Sequence, residues 1–321
     1  MTVKHFEGKI AALCGGVGGA KLALGLSCVL APEQLSIIVN TADDFEHLGL
    51  SISPDIDTVT YTLSETVNPE TGWGRKDESW RFMESLERLG GETWFSLGDT
   101  DLATHAIRTA RLSGGARLTE VTRDIARALG IAVPILPATD DRLRTIVETD
   151  EGALPFQRYF VGRRCQPRAL SLRYENAQNA ALTPQVVAAL EAPDLAAIVI
   201  CPSNPFLSVD PILAIPDARA RIRAAGVPVI AVSPIIGGRA VKGPLSKMMQ
   251  EFGQPSDVDS IARHYADLAD VLIVDEADRD TAFEGPVKHV AKTLMNTLQD
   301  RIALAAVVLD LTNELRGIKH E

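Results

Sequence analysis

Carboxylates and glycines collect early in the chain. Asp43 and Asp44 close the run NTADD, and Asp55 and Asp57 follow in SPDIDT. Acidic side chains gathered beside an anion-binding loop suit a hard divalent cation, magnesium most simply, with substrate phosphates completing its shell. The competing reading is that Asp55 or Asp57 caps a helix starting near Ile56. The loop itself is Gly15-Gly16-Val17-Gly18-Gly19, between Cys14 and Ala20-Lys21. Glycines there let the backbone approach a ligand closely and aim N–H groups and a helix dipole at an anion. Neither standard fingerprint is complete. A dinucleotide G-x-G-x-x-G beginning at Gly16 needs glycine where Lys21 stands; a P-loop beginning at Gly15 needs glycine at Ala20 and Ser or Thr at Leu22. The loop therefore points to a phosphorylated ligand without naming it, and a tight packing turn is the alternative.

Two later loops carry uncharged donors. Pro202-Ser203-Asn204-Pro205 follows the apolar run 196–201, and Ser233-Pro234-Ile235-Ile236-Gly237-Gly238 follows the apolar run 228–232. They offer hydroxyl, amide and backbone N–H groups to a ligand, or they are two ordinary turns. Lys242 and Lys247 lie beyond the second loop, where they could counter a phosphate. In WFSLGDTDLATH, Gly98-Asp99-Thr100 reads as a turn into a helix with Thr100 or Asp101 at its N-cap. His105, one turn further in, reads as an ordinary helical histidine.

These groups need a scaffold. Residues 9–14 form a short apolar run, the glycine loop follows, and 20–30 has a helical pattern. Residues 35–40 (LSIIVN) read as a second buried strand, so the unit is βαβ and its sheet is parallel. Runs at 196–201, 228–232 and 271–274 repeat the alternation, with helical patterns such as 216–225 and 257–268 between them and a closing amphipathic helix at 302–316. Ligands in such sheets bind outside the carboxyl ends of the strands, where the glycine loop, NTADD and both serine loops fall. The middle differs. Residues 77–89, 100–111 and 118–129 read as helices, and 144–149 and 153–160 flank Asp150-Glu151-Gly152 as a hairpin. The expectation is an α/β fold with helices on both faces of a mostly parallel sheet. Residues 1–60 and 181–321 form its core, and 61–180 form an inserted, largely helical lobe.

Composition narrows the classes. With 321 residues, 46% hydrophobic and 23% charged, the chain reads as an ordinary globular protein. A formal net charge of -10 argues against general binding to a nucleic-acid backbone. The four cysteines, Cys14, Cys28, Cys165 and Cys201, have no C-x-x-C spacing, so no zinc site is expected. No signal-peptide pattern and no apolar run of membrane-span length is present, so a cytoplasmic location is expected.

The ordered set GGVGGAKL, NTADDF, SPDIDT, GWGRKDESW, WFSLGDTDLATH, PSNPFLSVDPILAIP and SPIIGGRAVKG resembles the 2-phospho-L-lactate transferase family, from about Ile10 to Lys247 and more loosely to LDLTNELRG. The resemblance implies a Rossmann-like fold, a homodimer, and a magnesium-dependent step in coenzyme F-420 biosynthesis. In that step a phospho-acid moiety (2-phospholactyl, phosphoenolpyruvyl or 3-phosphoglyceryl) passes from a guanosine-diphospho donor to the ribityl hydroxyl of the deazaflavin Fo, and GMP is released. Carried onto this sequence, Asp43, Asp44 and Asp57 would surround the metal and donor phosphates; for that chemistry, Asp57 or Asp43 is expected to orient the attacking hydroxyl, or to accept its proton once metal is bound. Gly15, Gly16, Gly18 and Gly19 would cradle phosphate. Ser203, Asn204 and Pro205, with Ser233, Gly237 and Gly238, would hold the guanosine diphosphate. Trp73, Arg75 and Trp94 would lie toward the acceptor. The chief rival is a related family of gluconeogenesis and morphogenesis factors, which bind a nucleotide sugar without turnover. GWGRKDESW and WFSLGDTDLATH stand against it. A nicotinamide dehydrogenase is disfavoured by the broken glycine fingerprint.

Overall fold

The computed structural model describes residues 6–318. Seven strands form the central sheet: β1 (Lys9–Cys14), β2 (Leu35–Val39), β3 (Ile135–Pro137), β4 (Leu195–Ile200), β5 (Val229–Val232), β6 (Val271–Asp275) and β7 (Val287–Ala291). Their spatial order is β7-β6-β5-β4-β1-β2-β3, and every neighbouring pair is parallel. A parallel sheet covered on both faces needs apolar side chains pointing both ways, which explains the unbroken runs IAALC and LAAIVI. Along β1, Ala11 and Leu13 enter one core while Ile10, Ala12 and Cys14 enter the other. Along β4, Ile198 and Ile200 face the first core and Ala197 and Val199 the second.

The order of strands positions the site. From β1 the chain builds outward through β2 and β3, then crosses back to lay β4 against the other side of β1. Loops leaving β1 and β4 therefore diverge and open a crevice at their carboxyl ends. Helix α1 (Gly16–Val29) starts at that crevice and packs against the closing helix Leu298–Ile318.

Three details differ from the sequence expectation. The segment 61–180 does not stand wholly apart from the core. Its helix Leu118–Ala128 packs on β3, and β3 is the edge strand of the central sheet. A strand of three residues is too short to announce itself by pattern. The rest of the segment contains a three-stranded antiparallel sheet as well as helices: Arg144–Thr149 pairs with Gly152–Pro155, as the hairpin reading expected, and also with Ala169–Glu175. β7 went unread because its side chains are exposed or half-buried, as on a sheet edge. Among the described residues no helix is long and apolar enough to cross a membrane.

Candidate active site

A cavity of about 570 Å3 opens at the crevice. Gly15, Gly16 and Gly18 line it together with Ser203 and Asn204, so the loops after β1 and β4 share one wall. The Ser203 hydroxyl ties them: it accepts from Gly15 N at 3.1 Å and donates to Gly15 O at 2.8 Å. Asn204 Oδ1 accepts from Phe206 N and Leu207 N, which caps the turn Pro205–Val209 and buries Pro205.

The glycines answer to different needs. Gly16 has φ of 60°, a left-handed conformation that favours glycine. Gly18 is needed for packing: a Cβ there would collide with the carbonyl oxygen of Pro202. Gly19 sits behind the loop against Ser203 and Cys14. Gly18→Ala is therefore expected to lose about 1–3 kcal/mol of stability by overpacking, measured by urea denaturation. An unchanged midpoint would show that the loops yield freely.

The four early carboxylates are buried, and the structure separates their tasks. None caps helix α2 (Pro54–Leu63), whose N-cap is Ser53. Asp55 accepts from Gly16 N at 2.8 Å and Asn40 Nδ2 at 2.9 Å, clamping the glycine loop to the end of β2. Burial raises Asp55 to about 6 against the pull of those two hydrogen bonds. Asp44 accepts from Ser53 Oγ at 2.9 Å, and burial raises it to about 7 despite Arg144 and Arg108. Asp43 lines the cavity, and burial drives it well above the usual carboxylate range, with Asp55 and Asp44 adding repulsion.

Asp57 also lines the cavity but is held by Arg108, whose two terminal nitrogens reach its two carboxylate oxygens, Nη1 to Oδ2 at 3.1 Å. Arg108 Nη1 also lies 3.2 Å from His105 Nδ1. An arginine can only donate, so Nδ1 accepts and Nε2 carries the proton. Nε2 stands 3.2 Å from Asp101 Oδ2, and Asp101 Oδ1 accepts from the Tyr61 hydroxyl at 2.5 Å. Burial pushes Asp101 up, but His105, Tyr61 and Arg108 together hold it below its usual range. Tyr61, Asp101 and His105 all face the cavity. His105 is thus part of the wall, contrary to its reading as an ordinary helical residue. The overlooked signal was spacing: Asp101, His105 and Arg108 share one face of the helix Asp99–Ser113. Neither Thr100 nor Asp101 is its N-cap. Gly98 is, and Glu78 from GWGRKDESW accepts from Thr100 N and Asp101 N at 2.7 and 2.8 Å.

Metal binding can be judged on these groups. Among the described residues, Asp43 Oδ1 and Asp44 Oδ1 are buried without a hydrogen-bond partner. Among the described residues no group of three or more His, Cys, Asp or Glu side chains stands ready as a metal cage. The set Asp43, Asp44 and Asp57 is divided, with Asp57 committed to Arg108 and Asp44 to Ser53. The donors fit magnesium in the sparse manner usual for that ion, one or two carboxylates plus substrate phosphates and water.

Other sequence candidates are dispersed. Trp73 lines the cavity beside Phe95, Phe156 and Phe160. Trp94 is not on the wall: it packs at 5.6 Å on Phe95, under the Arg158 guanidinium at 4.1 Å. Arg75 lies over the Tyr61 ring. Ser233 reaches the wall, but its hydroxyl is engaged with Ile235 N and O. Gly237 and Gly238, with φ of 56° and 74°, are the turn of a tight hairpin between Ile235–Ile236 and Arg239–Ala240, and neither lines the cavity. Lys242 lines it; Lys247 is held elsewhere by Glu251, Tyr159 and Pro167. Lys21, whose interest in the sequence was that it broke a fingerprint, is also on the wall and donates to Met295 O at 2.8 Å.

Known proteins resemble the chain in sequence and in fold. Residues 10–304 match the family model described as 2-phospho-L-lactate transferase CofD. The chain is 42% identical over 313 residues to a 2-phospho-L-lactate transferase of Methanopyrus kandleri, covering 96% of this chain and 99% of that one. It is 38% identical over 319 residues to a phosphoenolpyruvate transferase of Streptomyces griseus, covering 96% and 100%. In fold it is similar to a UPF0052-family crystal structure from Bacillus halodurans, with a TM-score of 0.60 at 14% identity over 95% of this chain and 100% of that one. With the family's match running over nearly its whole length, this chain belongs to the 2-phospho-L-lactate transferase family and is an enzyme of the transferase class.

Proposed function

We propose that the enzyme transfers a phospho-acid moiety (2-phospholactyl, phosphoenolpyruvyl or 3-phosphoglyceryl) from a guanosine-diphospho donor to the ribityl hydroxyl of the deazaflavin Fo, releasing GMP. The observation that carries this reading is the double character of the main cavity. It joins the glycine loop at the start of α1, edged by Ser203 and Asn204, to an apolar wall of Trp73, Phe95, Phe156 and Phe160. The first end suits a diphosphate, because the N–H groups opening a helix have no partners within it; here Ser203 and Asp55 engage those of Gly15 and Gly16, and the next ones, of Val17 and Gly18, would meet the ligand. The second suits a flat tricyclic ring.

In the transfer, the acceptor hydroxyl attacks the phosphorus bearing the acid. A new P–O bond forms, the bond between the two phosphates breaks, and GMP departs. Such reactions ask a protein mainly for positioning and charge neutralisation. Asp57, fixed on the cavity wall by Arg108, orients the hydroxyl through the lone pairs that Arg108 leaves free and takes its proton. Asp43, assisted by Asp44 and the donor phosphates, would hold a magnesium ion. Bound there, the ion would offset charge on the diphosphate and the leaving GMP.

The direct test is mass spectrometry of the products after incubation with Fo and each of the three donors. A phospho-acid adduct of Fo from at least one donor is expected; none from any donor would overturn the reading. Nucleotide choice gives a second check. GDP is expected to compete with the donor, and ADP at least about tenfold more weakly, the effect of one lost base contact worth roughly 1.4 kcal/mol. Equal inhibition constants would mean that the base is not read.

A further inference from the structure

Beside the main cavity, and sharing Val17, Lys21 and Lys242 with it, lies a smaller hollow of about 70 Å3. Its remaining lining includes Arg301, Asn68 and Asn296. Three cationic side chains thus surround a space large enough for one small group. No acidic side chain lines it, and none of the three makes an ion pair with a carboxylate among the described residues. Lys21 Nζ donates to Met295 O and Lys242 Nζ donates to Thr71 O, so both amines are anchored by carbonyls rather than by carboxylates. Arg301 Nε is buried with no hydrogen-bond partner among the described residues. Burial, Arg301 and Lys242 together lower the proton affinity of Lys21, the direction expected for a cation crowded by cations. Burial likewise lowers Arg301.

Like charges brought together without a counter-ion cost stability, and a buried unpartnered donor adds to that cost. Both costs vanish if an anion enters. We propose that this hollow is the subsite for the carboxylate of the transferred acid, gripped by Lys21, Lys242 and Arg301. The proposal rests on the donor reading given above and adds to it the groups that recognise the acid. Position favours the carboxylate. Lys21 lies about one turn beyond Gly18 in α1, and Val17 and Lys21 line both the main cavity and the hollow, so the hollow adjoins the loop proposed to hold the diphosphate. Chemistry favours it as well. All three candidate acids carry a carboxylate but differ in hydroxyl, double bond or length, so a site reading the carboxylate serves any of them.

The test compares guanosine-diphospho-lactate, its carboxamide analogue and GDP, with binding measured by calorimetry on the wild type and on Arg301→Met and Lys242→Met. Losing one charged hydrogen bond to the carboxylate is expected to weaken the lactate donor about tenfold or more. GDP, which has no acid, is expected to bind each variant within about twofold of the wild type. The carboxamide is expected to bind the wild type about tenfold more weakly than the carboxylate and to lose little further in the variants, as a double-mutant cycle requires for a direct contact. Equal weakening of donor and GDP, or a carboxamide that binds the wild type as well as the carboxylate, would overturn the proposal. Wild-type protein that binds neither donor nor GDP would instead overturn the donor reading itself. Orthophosphate that competes with the carboxamide as strongly as with the lactate donor would show a free-phosphate site and likewise overturn the proposal. Lys242 is exposed, so its variant keeps the test valid if Arg301→Met folds poorly.

Discussion

Arg108→Met is expected to lower stability by about 3–5 kcal/mol, the usual cost of leaving one member of a buried ion pair uncompensated. The side chains of Arg108 and Asp57 are 2% and 9% exposed, so solvent gives the stranded carboxylate little relief. The loss spreads because Arg108 also donates to Ser51 O at 3.2 Å and fixes the His105 ring. Urea denaturation of Arg108→Met, Asp57→Leu and the double variant separates the contributions. The double variant is expected to be more stable than either single one, since it removes both charges together. A loss near that of a surface pair, under about 1 kcal/mol, would show that water reaches the pair and that it is not a structural element of the cavity wall. This result also governs how Asp57 is tested as a catalytic group: a rate measured for Asp57→Asn has meaning only at a temperature where that variant remains folded.

Asp43→Asn is expected to lower turnover by about a hundredfold, the scale seen when one preorganised electrostatic partner of a transition state is removed. Its fold is expected to survive, and even to gain stability, because a buried carboxylate crowded by Asp44 and Asp55 becomes neutral. That combination of intact melting and lost rate separates a chemical role from a structural one. EDTA is expected to abolish activity of the wild type, and magnesium to restore it. Full turnover of Asp43→Asn in the presence of chelator would remove both the metal and this carboxylate from the mechanism.

Much of the fold was legible because local signals agreed. Strand, glycines and helix occur in immediate succession at residues 9–29, and each signal is carried by side chains within a few positions of one another. The central strands declared themselves as unbroken apolar runs because both faces of the sheet are covered. β3 and β7 did not: one is three residues long and the other is an exposed edge.

Composition and order of motifs along the chain determined the α/β class, the glycine loop at the end of β1, the serine loop at the end of β4 and the family to which the protein belongs. They did so because these features need only neighbouring residues and their sequence order. The sharing of tasks among the acidic groups was decided by tertiary structure. Asp55 is turned to Gly16, Asp57 to Arg108 and Asp44 to Ser53, leaving Asp43 Oδ1 and Asp44 Oδ1 without a partner among the described residues, although the four carboxylates fall in two short stretches, Asp43-Asp44 and Asp55 to Asp57. Spacing alone treats them alike, because partners as distant as Arg108 meet them only when the lobe folds back onto α2. The same holds for Lys21, Lys242 and Arg301, which stand far apart in the chain and become one basic hollow only where α1, the loop after the 235–240 hairpin and the closing helix converge.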